Sequence, residues 1–131
     1  MEAFTVKTSQ RTEMLDITHQ IRKAVTDSKV RNGVCCIFVP HTTAAVTINE
    51  NADPNVPKDI LTKLENLVPP DDRYRHTEGN SDAHIKTSLV GSSETIIVED
   101  GRLVLGTWQS IFFCEFDGPR NRRVWLKVIE G

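Results

Sequence analysis

Glu94-Thr-Ile-Ile-Val98, Leu103-Val-Leu-Gly-Thr-Trp108, Ile111-Phe-Phe-Cys-Glu-Phe116 and Val124-Trp-Leu-Lys-Val-Ile129 follow one another over the last third of the chain. Each is short and rich in β-branched or aromatic residues, the composition that suits a pleated, half-buried strand. Between them lie Glu99-Asp100-Gly101 and Asp117-Gly118-Pro119, whose residue types favour tight reversals. Four strands joined by tight turns predict antiparallel pairing, and this region decides the class.

Earlier segments are consistent with it. Phe4 to Thr8 alternates apolar and polar residues, and Thr12 to Leu15 extends that pairing. Val34 to Val39 is a continuous apolar run that suits a buried strand, and Thr43 to Ile48 continues in the same style. Two main helices interrupt the strands. Ile17, Ile21, Ala24 and Val25 recur at helical spacing behind Asp16 or Thr18 as the capping residue, up to the Asn32-Gly33 turn. Val56, Ile60, Leu61, Leu64, Leu67 and Val68 form a second apolar face, opened by Asp53-Pro54 and stopped by Pro69-Pro70. Asp71 to Asp82 reads as a long polar loop, a common place for function. Ala83 to Val90 reads as a short third helix before Gly91. The expected fold is α+β and β-rich: an antiparallel sheet or two-sheet sandwich in a single domain of 131 residues.

A net charge of −2 argues against a dedicated nucleic-acid binder. No apolar run approaches the length of a membrane span, and the N-terminus lacks the features of a secretory leader. Cys35, Cys36 and Cys114 have no disulfide or zinc-finger spacing and read as buried free thiols. A cytoplasmic setting is expected.

Chemistry-bearing residues gather in three places: around His41, between Tyr74 and Lys86, and from Gly106 to Arg120. His41, His76 and His84 are enough imidazoles for a zinc or other divalent metal site with an open position, and equally three separate histidines. Glu50 is a general base, a metal ligand, a substrate anchor or a turn acid. Lys86 and Arg120 offer cations to phosphate or carboxylate; Arg122 and Lys127 read as solvated strand positions. Thr42 and Thr43 offer hydroxyls beside His41. Trp108 is either a stacking surface or core. Walker, dinucleotide and nucleophile-elbow motifs are absent.

His41-Thr-Thr-Ala-Ala-Val-Thr-Ile-Asn-Glu-Asn51 with Asp53-Pro54 resembles the signature of the YjbQ family. Tyr74 to Gly79, His84-Ile-Lys-Thr-Ser-Leu-Val-Gly91 and Gly106-Thr-Trp-Gln109 agree with it in the same order. The resemblance implies a compact β-rich homotrimer and a secondary thiamine-phosphate synthase activity, which joins a pyrimidine diphosphate to a thiazole phosphate and releases pyrophosphate. It further implies His41, His76 and His84 as ligands of a divalent metal, zinc or alternatively magnesium. Glu50 and Lys86 are then the catalytic candidates. Thr42, Asn51, Thr107, Trp108, Gln109 and Arg120 are the substrate-binding candidates, Arg120 lying in a stretch shared with only some members. The chain lacks an Asp-x-x-Asp pair for magnesium diphosphate. Two other functions remain open: metal-dependent hydrolysis of a small substrate with Glu50 as base, and a non-catalytic trimeric module that binds a small anionic metabolite.

Overall fold

The structure is a computed structural model that describes residues 1–131. Its strands are β1 (Glu2–Lys7), β2 (Glu13–Asp16), β3 (Gly33–Phe38), β4 (Ala44–Glu50), β5 (Ser93–Glu99), β6 (Arg102–Leu103), β7 (Gln109–Glu115) and β8 (Asn121–Glu130). Its helices are α1 (Thr18–Ser28), α2 (Asn55–Leu67) and α3 (Ser81–Val90). The strands form two antiparallel sheets, one in the order β1-β8-β3-β5-β6 and one in the order β2-β7-β4. Of the two expected arrangements, the chain takes the two-sheet one.

Period-2 alternation explains why these strands pack as they do. Val124 and Leu126 of β8, Cys35 and Ile37 of β3 and Ile96 and Val98 of β5 point inward from the larger sheet. They meet Ala44 and Val46 of β4, Ile111 and Phe113 of β7, and the buried face of α1. β7 is covered on both sides, which accounts for its unbroken apolar run. Its other face carries Phe112 and Cys114, which pack with Ala45, Phe116, Leu61, Leu64 and Ala83 under α2 and α3.

Local chemistry sets the helix ends. The Asp16 carboxylate accepts the Thr18 N–H at 2.9 Å, and the Thr18 hydroxyl accepts the Ile111 N–H at 2.8 Å, tying α1 to β7. The Asp53 carboxylate accepts the Asn55 N–H at 2.9 Å where α2 begins. The third helix starts two residues earlier than the sequence pattern gave, at Ser81, because Asn80 C=O already accepts the Ala83 and His84 N–H groups.

One expected strand is corrected. Leu103 to Trp108 is a strand only at Leu103; the rest turns, with Gly106 N–H donating to Gln109 Oε1 at 2.8 Å and Gln109 N–H to Gly106 C=O at 3.1 Å. The Gln109 side chain folds back over Gly106, where a Cβ would stand 3.2 Å from Oε1, and closes a turn where apolar composition alone argued for extension. The outer face of the larger sheet carries no helix, and Phe38, Ile97, Trp125 and Ile129 are exposed there. No helix is long and apolar enough to cross a membrane.

Candidate functional site

The pairing of β4 with β7 fixes the geography of the candidate residues. Ala44 stands opposite Glu115 at one end and Glu50 opposite Gln109 at the other. Six residue steps of about 3.4 Å separate those ends by about 20 Å. His41, Thr42, Thr43, Arg120 and Arg122 therefore belong to one end, and Glu50, Asn51, Thr107, Trp108 and Gln109 to the other.

At the first end His41, Thr42, Thr43, Ser92, Arg120 and Arg122 line an open cleft of about 500 Å³, with Phe38 on its edge. A second recess of about 370 Å³ shares His41, Thr42 and Ser92 and adds His84, Thr87, Ser88 and Gly91. No carboxylate lines either one. The α3 helix brings His84, Thr87 and Ser88 there because Gly91 C=O accepts the Val46 N–H, which fastens the end of α3 to β4.

Beneath the cleft lies an ion pair missed in the sequence. Arg122, expected to be solvated, is 2% exposed, and Glu115 is fully buried. The guanidinium donates to both Glu115 oxygens and to the Thr43 hydroxyl, the last at 2.8 Å. Thr8 donates its hydroxyl to Glu115 at 2.8 Å and Asp117 its N–H at 3.0 Å. Burial pushes the Glu115 carboxyl up, but the Arg122 hydrogen bonds, the other donors and the Arg122 charge outweigh it and leave it below its ordinary value. The available signal was strand parity. Arg122 shares the inward side of β8 with Val124 and Leu126, and Glu115 the inward side of β7 with Ile111 and Phe113.

His41 accepts the Arg123 N–H on Nε2 at 2.9 Å. Its ring proton is thereby assigned to Nδ1. Burial, then the charge of Arg122, lowers its pKa, so the neutral ring is favoured at pH 7. His76 and His84 meet edge to face with ring centroids 5.4 Å apart. His76 Nε2 lies 3.0 Å from Asn80 Oδ1, and the Asn80 amide donates to Asp117 Oδ2 at 2.9 Å. Arg120 is held by the same Asp117, its Nε donating to the C=O and its Nη2 to Oδ2, both at 2.9 Å.

The three histidines are thus neighbours in pairs but do not form one donor set. No three His, Cys, Asp or Glu side chains converge on a metal position. The His41 Nε2 lone pair is engaged by a backbone N–H, which removes it as a ligand on that side. A three-histidine metal centre does not fit one chain.

Lys86 is 1% exposed, with Nζ 2.8 Å from Asp82 and 2.6 Å from Glu65. Arg11 also binds Asp82 at 3.0 Å, and this cluster joins α2, α3 and the loop after β1. Burial raises the Asp82 pKa, but the hydrogen bonds from Arg11 and Lys86 win and lower it. Lys86 therefore spends its charge inside the protein. At the far end, Asn51 donates to Asp16 Oδ2 at 2.9 Å, Gln109 holds its own turn, and Trp108 is 63% exposed rather than core.

The family model for UPF0047 protein YjbQ-like matches residues 2–131. The chain is 56% identical over 126 residues to the UPF0047 protein MJ1081 of Methanocaldococcus jannaschii, which covers 96% of this chain and 91% of the relative. It is 48% identical over 130 residues to the UPF0047 protein YugU of Bacillus subtilis, covering 98% of each. A crystal structure of a YjbQ/UPF0047 family protein from Clostridium acetobutylicum superposes with a TM-score of 0.97 at 53% identity, covering 98% of this chain and all of the other. The same ordered motifs, the same two-sheet fold and these full-length matches lead to one conclusion: this chain belongs to the YjbQ (UPF0047) family.

Proposed function

We propose that this chain binds a small phosphorylated molecule in the cleft lined by His41, Thr42, Arg120 and Arg122. The observation that carries this reading is the lining: imidazoles, hydroxyls and the half-exposed Arg120 guanidinium with no carboxylate on the wall, Arg120 being held from behind by Asp117 and Arg122 lying buried against Glu115. Donors fixed in place before the ligand arrives stabilise negative charge without reorganising, which is what a phosphate or a departing diphosphate requires. Secondary thiamine-phosphate synthesis, the reaction implied by the sequence resemblance, has such a leaving group. Glu50, Asn51, Thr107, Trp108 and Gln109 enter the same reading through a homotrimer, in which one subunit brings them to the His41 cleft of the next.

Calorimetric titration with inorganic pyrophosphate tests the cleft. Saturable binding that weakens at least tenfold in His41→Ala and in Arg120→Ala is expected; no binding by the wild type would remove the reading. Incubation with the pyrimidine diphosphate and thiazole phosphate then separates an enzyme, which yields thiamine phosphate, from a binding module, which does not. Light scattering across a dilution series tests the trimer: a monomer that binds pyrophosphate undiminished sinks the shared site.

A second reading rests on the His76–His84 pair. Two adjacent imidazoles supply two of the four positions of a zinc site and leave the others to an incoming ligand. Elemental mass spectrometry on protein purified without an affinity tag, compared with His84→Ala, decides it. Bound zinc lost in the variant supports the pair, whereas no metal bound or taken up by the wild type ends it.

A further inference from the structure

Helix α1 and the β5–β6 turn enclose a recess of about 360 Å³. Its wall is Arg22, Val25 and Thr26 on the helix side and Gly101, Arg102 and Leu103 on the turn side, with no carboxylate among them. Strand register sets it apart from the His41 cleft. Gly33 of β3 stands opposite Val98, next to this turn, and Phe38 stands opposite Ser93, next to the cleft. Five residue steps of about 3.4 Å separate those ends by about 17 Å.

Two guanidiniums line this recess without a carboxylate of their own. Arg11, Arg120 and Arg122 are each paired with an acid, whereas Arg22 and Arg102 are not. Asp27, the only carboxylate of α1, is held by Lys23 at 2.7 Å. Arg22 and Thr26 are four residues apart and so share one face of the helix. The opposite wall is set by Gly101, whose φ of +76° suits glycine and whose N–H donates to the Arg31 C=O at 2.8 Å. Arg31 lies over that glycine, its Nη1 3.3 Å from where a Cβ would stand. It opens onto an adjoining recess that also contains Glu99 and Asp100, so the carboxylate-free wall is the one between Arg22 and Arg102.

We infer that this recess is a second ligand site, and that it takes a small dicarboxylate. Two cations on facing walls, one carried by a helix and one by a strand, match an anion with two separated charges better than a single compact one. A guanidinium holds a carboxylate in a bidentate fork, so each end of the ligand has its own partner. The Thr26 hydroxyl adds a neutral donor beside Arg22. Between the two ends, Val25 and Leu103 offer an apolar floor to a short carbon chain. The site is independent of the His41 cleft and of the phosphorylated ligand proposed there.

The test titrates the protein with succinate, glutarate, butyrate and inorganic phosphate at constant ionic strength, read by calorimetry and by backbone amide chemical shifts. The better of the two dicarboxylates is expected to bind about tenfold more tightly than butyrate, which has the chain but one charge, and than phosphate. It should move the Thr26 and Gly101 amides. Arg22→Gln and Arg102→Gln each remove one exposed cation and should weaken that binding about fivefold, with thermal unfolding unchanged. Butyrate bound as tightly as the dicarboxylates would overturn the two-point contact. Phosphate bound more tightly than either would make this a compact-oxyanion site and overturn the dicarboxylate. No binding by the wild type, or shifts at Thr42 and Ser92 in place of Thr26 and Gly101, would remove the site.

Discussion

Arg122 of β8 and Glu115 of β7 form a buried ion pair that joins the two sheets directly below the His41 cleft. Glu115 is fully buried and Arg122 all but so, and the pair is completed by Thr8, Thr43 and the Asp117 backbone. The same guanidinium lines the cleft and lowers the His41 pKa, so the support of the fold and the electrostatics of the site are one arrangement.

Removing one partner strands the other. Arg122→Ala leaves a carboxylate buried without its cation and should cost about 3–5 kcal/mol of stability, measured by chemical denaturation. Glu115→Gln should also destabilise, because it leaves the Arg122 cation buried without its anion and turns an amide NH2 toward groups that themselves donate. A loss below about 1 kcal/mol in both variants would contradict this account.

Stability should fall on the acid side. The Glu115 pKa is lowered from its ordinary 4.5 and that of Asp82 from 3.8, so each contributes stability above those values. The contribution is lost as pH drops below about 4.5 and through the folded-state values. A thermal unfolding series from pH 7 to pH 3 checks this. The acid decline should be shallower in Glu115→Gln; an unchanged slope would sink the assignment.

His41 titrates in the opposite sense. Its folded pKa is lowered from 6.5, first by burial and then by Arg122, so the unfolded chain takes up the proton first and stability is lost as pH falls below 6.5. Nitrogen-detected NMR should find the proton on Nδ1 at pH 7 and a titration midpoint below 6.5. Pyrophosphate should raise that midpoint by favouring the charged ring. A midpoint that ignores pyrophosphate speaks against contact between His41 and the anion.

Lys86→Met is expected to act on stability and not on ligand affinity. It removes a cation from Asp82, which is fully buried, and should cost about 3 kcal/mol. Pyrophosphate titration of the folded variant at low temperature separates the two roles: unchanged affinity fits a packing lysine, and a lost affinity would make Lys86 a ligand contact.

The thiols should differ in reactivity. Burial, with a smaller push from Cys36, raises Cys35 to about 11, and burial raises Cys114 to about 12. Cys36 is only half-buried. Iodoacetamide at pH 8 should label Cys36 first, read by peptide mass spectrometry; early labelling of Cys114 would mean that the β7 core opens.

Strand parity, helix periodicity and turn residues are local properties, and the sequence by itself determined nearly all the elements through them. The class, both main helices and the strands from Val34 onward follow from where apolar side chains must face. The Leu103 to Trp108 stretch misled because its composition was apolar while Gly106 and the Gln109 side chain closed a turn. Even Arg122 carried a legible signal, since it occupies an inward position of β8. Tertiary structure alone decided which polar residues meet. Register places Ala44 against Glu115 and Glu50 against Gln109, so one continuous motif from His41 to Asn51 is spread over about 20 Å. His84, Ser88 and Arg120 reach His41 from distant parts of the chain, and Lys86, two residues from His84, is turned into the interior instead. Spacing along the chain does not encode such meetings, because they arise from packing that satisfies buried charge and apolar surface at once.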